Sequence, residues 1–338
     1  MVQNSQSTRR SQDRPTSGLV LGKFLPPHRG HEYLIDFAKH YVGNLTVLAC
    51  SIKDEPIPGK LRLEWMRQLF PNVNIIEITD EIPQDPKDHP DFWNIWKNTI
   101  KREIPGDIDY VFASEDYGFQ LAEILDAKYI PVDHAREIVP VSGTQIRENP
   151  MKNWDYMPKP IRPHFLKRVC IFGPESTGKS TLTKNLAAHF NTVYVAEYAR
   201  GLLDLKNGQC DYEDIERIAR GHRASELALA PHANRVLFSD TDMVLTTIWS
   251  DVFFKKCPEW VTQNAEGMPY DLYLLTDIDV PWVEDIQRYF PDEKPRRDFM
   301  DHCIKTLEER KLPYIRISGS WDERLKSAIE ATEKLIKP

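Results

Sequence analysis

Residues 168–180 read Arg168-Val169-Cys170-Ile171-Phe172-Gly173-Pro174-Glu175-Ser176-Thr177-Gly178-Lys179-Ser180 and run into TLTKNLAAHF (181–190). The opening run is apolar with the pattern of a buried strand, the closing run is helix-like, and the eight residues from Gly173 satisfy G-x-x-x-x-G-K-[ST]. Strand, glycine-rich turn and helix in that order are what a phosphate loop requires. Gly173 and Gly178 let backbone N–H groups curl around a phosphate, in a loop completed by Glu175, Ser176, Thr177 and Thr181. Lys179 reaches the β and γ phosphates, and the Ser180 hydroxyl suits Mg²⁺.

Working outward, TVYVAEY (192–198), NRVLFSD (234–240), YDLYLLT (270–276) and YIRIS (314–318) read as the sheet partners of this strand, and WDERLKSAIEATEKLIK (321–337) as a terminal helix. Asp240 and Asp242 follow a strand, where one carboxylate holds the magnesium shell and one takes the acceptor's proton; the pattern does not say which, and Asp240 is also the candidate metal ligand. Downstream, Pro281 to Asp285 precede Arg288, Lys294, Arg296 and Arg297. This is either a lid whose arginines, Arg288 and Arg297, stabilise a transferring phosphoryl group, or a solvated charged surface. Glu197, Tyr198 and Arg200 are acceptor-binding candidates on the same footing. There is no guanine-reading Asn-Lys-x-Asp, and a domain of this small size fits a small-molecule kinase better than a motor or transporter ATPase.

The first half carries a second signature. Gly22-Lys23-Phe24-Leu25-Pro26-Pro27-His28-Arg29-Gly30-His31 follows the strand-like GLVLGKF (18–24). A helix starting near Gly30 sets His28 and His31 at an N-terminus, where amide N–H groups attract phosphate, while Gly30 keeps a side chain out of the way. Val141-Ser142-Gly143-Thr144-Gln145-Ile146-Arg147 opens another helix, its Ser142 and Thr144 hydroxyls and Arg147 facing an anion. Structural histidines or a metal pair are the alternative, but no nearby Cys or His completes a zinc set. NLTVLACSI (44–52), NVNIIEI (72–78) and IDYVFAS (108–114), alternating with helix-like EYLIDFAKHY (32–41), LRLEWMRQLF (61–70) and Phe92 to Lys101, give a parallel sheet covered by helices. The fold class is α/β in both halves.

These two motifs resemble the HxGH nucleotidyltransferase superfamily over residues 18 to 150, which implies a Rossmann-like domain that cuts ATP at its α phosphorus and releases pyrophosphate. An attacking phosphomonoester is already mostly a dianion, its second pKa being about 6, so the site need only orient and neutralise with His28, His31, Lys23 and Arg147.

The 338 residues allow two domains. Residues 1–17 are expected to be a flexible tail, and ENPMKNWDYMPKPIRPHFLKR (148–168), with four prolines, to hold the boundary, giving domains at 18–160 and 161–338. Five scattered cysteines without a Cys-x-x-Cys pair fit a reducing cytoplasm, and no apolar run approaches a membrane span. A net charge of −7 disfavours a chain built to coat nucleic acid.

With both domains in this order, the chain resembles the NadR family of bifunctional nicotinamide-nucleotide adenylyltransferases and ribosylnicotinamide kinases. The shared features are GKFxPxHxGHxYLI, Trp93 and Trp96, Ser142 to Pro150, the Glu175 to Thr181 loop, Glu197-Tyr198, Asp240-Thr241-Asp242 and Pro281-Trp282-Val283. The resemblance implies ATP and Mg²⁺ in both steps, with nicotinamide riboside phosphorylated to the mononucleotide and the mononucleotide adenylylated to NAD. It implies nucleotide roles for Gly22, Lys23 and Phe24 and a substrate role for Trp282. Trp93 or Trp96 is either a stacking surface for the nicotinamide ring or core. Only a short polar tail stands where the family's regulators carry a DNA-binding domain, so direct DNA binding is not expected; a homo-oligomer is left open. A bifunctional coenzyme A synthase and a non-catalytic NAD/ATP sensor are the rival readings.

Overall fold

The computed structural model describes residues 14–267 and 270–337. Of the expected tail, residues 1–13 lie outside that range; Ser17 already opens the first strand, and Arg14 pairs with Asp109 at 2.9 Å. The chain divides into two compact units, one ending at Ile161 and the other starting at Arg162.

The first unit holds five parallel strands, β1 (Ser17–Gly22), β2 (Asn44–Cys50), β3 (Asn74–Ile78), β4 (Tyr110–Ala113) and β5 (Lys128–Pro131), in the order β3-β2-β1-β4-β5. The second holds β6 (Lys167–Phe172), β7 (Tyr194–Val195), β8 (Val236–Asp240), β9 (Leu272–Thr276) and β10 (Tyr314–Ile317), in the order β10-β9-β6-β8-β7. Every pairing is parallel, in register from Gly18↔Leu45 in one sheet and Val169↔Phe238 in the other.

Both sheets are buried on both faces, which is why their strands read as unbroken apolar runs. Side chains alternate across the pleat: Val20, with Val47 and Phe112, packs into one cluster, while Leu19, with Leu48 and Val111, packs into another. In the second sheet Cys170 and Phe172 face Tyr273 and Phe299, and Val169 and Ile171 face Phe238 and Ile317.

In each sheet the strand carrying the phosphate motif is central, and later strands switch to its other side. Such a reversal opens a crevice at the carboxyl ends of the strands, where ligands of open α/β sheets bind. The loop after β1 and the loop after β6 both emerge there. One strand is unexpected and one is shorter than expected: β5 has only four residues ending in proline, and β7 reduces TVYVAEY to two paired residues at the sheet edge. Among the described residues no helix is long and apolar enough to cross a membrane.

Candidate functional site

His28 caps the helix Arg29–Tyr41 in extended backbone, its Nδ1 accepting the Gly30 N–H at 3.1 Å, and His31 Nδ1 accepts the His28 N–H at 3.2 Å. The rings stack with centroids 3.7 Å apart. Because each Nδ1 is an acceptor, the proton of each neutral ring sits on Nε2. Burial, then the Arg136 charge, lowers His28 to about 4; burial, His28 and Arg136 hold His31 well below the usual histidine range. At neutral pH the pair therefore offers two uncharged Nε2–H donors. Phe24 packs edge-on against His31, with centroids 4.9 Å apart. Gly30 is small for a nearer reason than ligand approach, since a Cβ there would lie 3.0 Å from the His28 ring.

The second motif meets the first through one glycine. A Cβ on Gly143 would stand 2.4 Å from the Leu25 carbonyl oxygen. Ser142 caps the helix Gly143–Glu148 by accepting from Gln145 N, and Arg147 donates to the Leu25 carbonyl and, at 3.2 Å, to Thr144 Oγ1. Gly22, Lys23, Phe24, His28, His31, Trp93, Trp96, Ser142, Thr144 and Arg147 all line one cleft of about 610 Å³. Trp96 is buried with its Nε1–H donated to the Pro83 carbonyl at 2.9 Å; Trp93 is half-buried and is the freer of the two faces.

Two arginines escaped the sequence reading, Arg136 on the cleft lining and Arg62 buried among the loops that form it. Arg62, 3% exposed, donates to the carbonyls of Lys23, Ile57 and Cys50 and pairs with Glu55, which also lies 3.5 Å from Lys23. It brackets the loops after β1 and β2. Arg136 lines the cleft from a turn with φ of 52°, held by Asp133, whose carboxylate accepts the Ile138 and Val139 N–H groups. An arginine in a helix-like run and one in an irregular loop carry no local signature.

In the second unit, Gly173 (φ 132°) and Gly178 (φ 83°) occupy backbone that favours glycine, and Cβ atoms there would meet Thr276 O at 2.9 Å and the Trp321 ring at 2.4 Å. Lys179 Nζ donates to the Pro174 carbonyl at 2.7 Å. Buried Arg324 braces the loop from outside through Thr177 O at 3.2 Å and Gly319 O at 2.9 Å. Glu175 to Ser180, Thr181, Glu197, Arg200 and Arg288 line one cleft.

Asp240, at the end of β8, is hydrogen-bonded to the Ser180 side chain, and its Oδ1 is buried with no hydrogen-bond partner among the described residues. Burial raises its pKa against the pull of Lys179; burial and then the Asp240 charge raise Glu197. A hydroxyl and a carboxylate with a spare oxygen beside a phosphate loop fit Mg²⁺, which takes one or two carboxylates and leaves its other positions to water and phosphate.

The Asp240/Asp242 pair divides. Asp242 caps the helix Met243–Phe254, its Oδ1 accepting from Leu245 N and its Oδ2 from the Tyr273 hydroxyl, both at 2.9 Å. Like Asp240 it is buried and lies off the cleft lining, and burial pushes it up to about 6. The expected catalytic role of Asp242 thus gives way to a structural one, because both of its oxygens are committed. Three further candidates stand apart from the cleft lining. The Tyr198 ring packs on Gly221, Arg297 is exposed and pairs with Glu293 on its own helix, and Trp282 has its Nε1 buried with no hydrogen-bond partner among the described residues.

Residues 168–324 match the family described as an AAA domain. The chain is 31% identical to the trifunctional NAD biosynthesis/regulator protein NadR of Escherichia coli (strain K12), over 96% of this chain and 84% of that one. It is 30% identical to the protein of the same name from Salmonella typhimurium, over 94% and 83%. In fold it is similar to a NadR protein crystallised with NR, with a TM-score of 0.78 at 22% identity over 96% of each chain. A NadR protein in complex with NAD and AMP-PNP gives a TM-score of 0.77 at 21% identity, over 96% of this chain and 97% of that one.

Proposed function

The chain belongs to the NadR family, and from that premise we propose that it makes NAD in two steps, each at its own cleft. In the second unit the 5′ hydroxyl of nicotinamide riboside takes the γ-phosphoryl group of ATP, leaving ADP. In the first unit the phosphate of the resulting mononucleotide attacks the α phosphorus of another ATP, and pyrophosphate leaves.

The observation that carries this reading is the meeting of Gly22 to His31 with Ser142 to Arg147 on one cleft, in a chain that also carries a complete phosphate loop. At the first cleft the neutral Nε2–H groups of His28 and His31 donate to phosphate oxygens while Lys23 and Arg147 neutralise charge. Fixed donors of this kind need little rearrangement as charge moves toward the leaving pyrophosphate. At the second, the loop N–H groups and Lys179 hold the terminal phosphates, and Glu197 on the cleft lining and buried Asp240, both under the Lys179 charge, are the carboxylates offered to the acceptor's proton. Ser180 and Asp240 would hold Mg²⁺, which when bound would supply further neutralisation of phosphate charge.

The test is product analysis on riboside plus ATP. Lys179→Ala is expected to abolish mononucleotide formation yet leave adenylylation of supplied mononucleotide, and His31→Ala to do the reverse. Equal loss of both activities in either folded variant refutes the division; consumption of phosphopantetheine or dephospho-coenzyme A instead of riboside refutes the substrate.

A further inference from the structure

Glu175 and Ser176 occupy positions that the phosphate-loop pattern leaves open, and both hold the segment Ile278 to Pro291, which joins β9 to the helix Glu293–Glu309. The Glu175 carboxylate, on a residue 8% exposed, accepts the Tyr289 N–H at 2.7 and 3.0 Å and the Phe290 N–H at 2.6 Å. Ser176 Oγ accepts the Val283 N–H at 2.9 Å. The segment is also tied to the helix Tyr198–Asp204, with Asp285 contacting Arg200 at 2.7 and 2.8 Å and Gln287 donating to the Arg200 carbonyl at 2.9 Å. Between these ties, Gln287, Arg288 and Tyr289 face the cleft.

A carboxylate next to a triphosphate site is unfavourable by charge alone, so its presence calls for a compensating task. Two main-chain N–H groups, through three contacts, engage both carboxylate oxygens and tie them to the strap. We infer that Glu175 is a positioning residue that fastens the strap Ile278 to Pro291 across the kinase cleft, so that Arg288 is presented to the transferring group and water is kept from competing with the acceptor hydroxyl.

This rests on the kinase reading above. Loosening the strap lets water take the acceptor's place: the bond from the γ phosphorus to the bridging oxygen of ADP breaks, one to a water oxygen forms, and inorganic phosphate leaves in place of mononucleotide. The experiment uses the full chain with riboside, ATP and Mg²⁺, and reads ADP against the sum of mononucleotide and NAD, normalised to adenylylation of supplied mononucleotide. The wild type is expected to form ADP and that sum one to one. Glu175→Ala is expected to lower transfer about tenfold and raise the ratio of ADP to that sum severalfold. Glu175→Gln, which keeps one acceptor oxygen, falls between, and it decides the matter should the alanine variant fail to fold. A folded variant that stays at one to one with unchanged kcat/KM for riboside overturns the inference. A wild-type chain that forms neither mononucleotide nor NAD from riboside overturns the kinase reading, and the strap's role with it.

Discussion

His28 and His31 are set apart from ordinary histidines by what their Nδ1 atoms already do. Since the fold disfavours their protonated forms, an unfolded chain binds protons that the native one refuses between pH 6.5 and about 4. The native state is therefore expected to lose stability as pH falls through that window, with no contribution from these rings above it. His28→Gln should flatten the acid side of the thermal midpoint curve, and nitrogen-edited NMR should show Nε2–H tautomers at pH 6; a His28 titrating near 6.5 would refute the reading. Asp242 acts with the opposite sign, because its folded pKa of about 6 lies above the unfolded value of 3.8, so the fold loses stability as pH rises between them. Asp242→Asn keeps the cap acceptor for Leu245 and is expected to retain phosphorylation within severalfold, whereas Asp242→Ala should destabilise by about 1–3 kcal/mol through the lost cap and an unpaired Tyr273 hydroxyl. Asp240→Asn should lower kcat a hundredfold or more with little change in melting. Steady-state kinetics and thermal melts on the three variants separate the roles.

The loops after β1, β2 and β6 work because other elements close against them. Gly143→Ala sets a Cβ on the Leu25 carbonyl, a backbone atom that cannot swing away, and parts the two motifs of the first cleft. Adenylylation is expected to fall at least a hundredfold while riboside phosphorylation persists; equal loss of both would mean global misfolding. Arg62→Met leaves Glu55 and three carbonyls without their buried partner, a loss of about 3–5 kcal/mol that denaturant melts can measure. Most strands were legible because burial on both faces leaves a continuous apolar run. The exceptions lie at sheet edges: the four residues of β5 are too short an apolar run to read, whereas the strand-like run 192–198 pairs over only two residues as β7, because pairing at an edge is set by the one neighbouring strand and not by the run's own composition.

Over the whole chain, each unit has its own sheet and its own apolar clusters. A chain starting at Arg162 is accordingly expected to fold alone and keep riboside phosphorylation; a fragment that binds no ATP and shows no cooperative melt would count against this. The linear sequence by itself determined the α/β class and the composition of the two phosphate loops. Such motifs are written in consecutive residues, where glycine, lysine, hydroxyl and imidazole act within one turn of backbone. Only the tertiary structure decided that Asp240 meets Ser180 while Asp242 caps a helix, that Tyr198 and Arg297 stand away from the second unit's cleft, and that in the first unit Arg136 lines the cleft while Arg62 is buried among its loops. It also turned Glu175 toward Tyr289, 114 residues away. The partner of a buried charge is set by which strand ends converge in space, and no spacing along the chain records that.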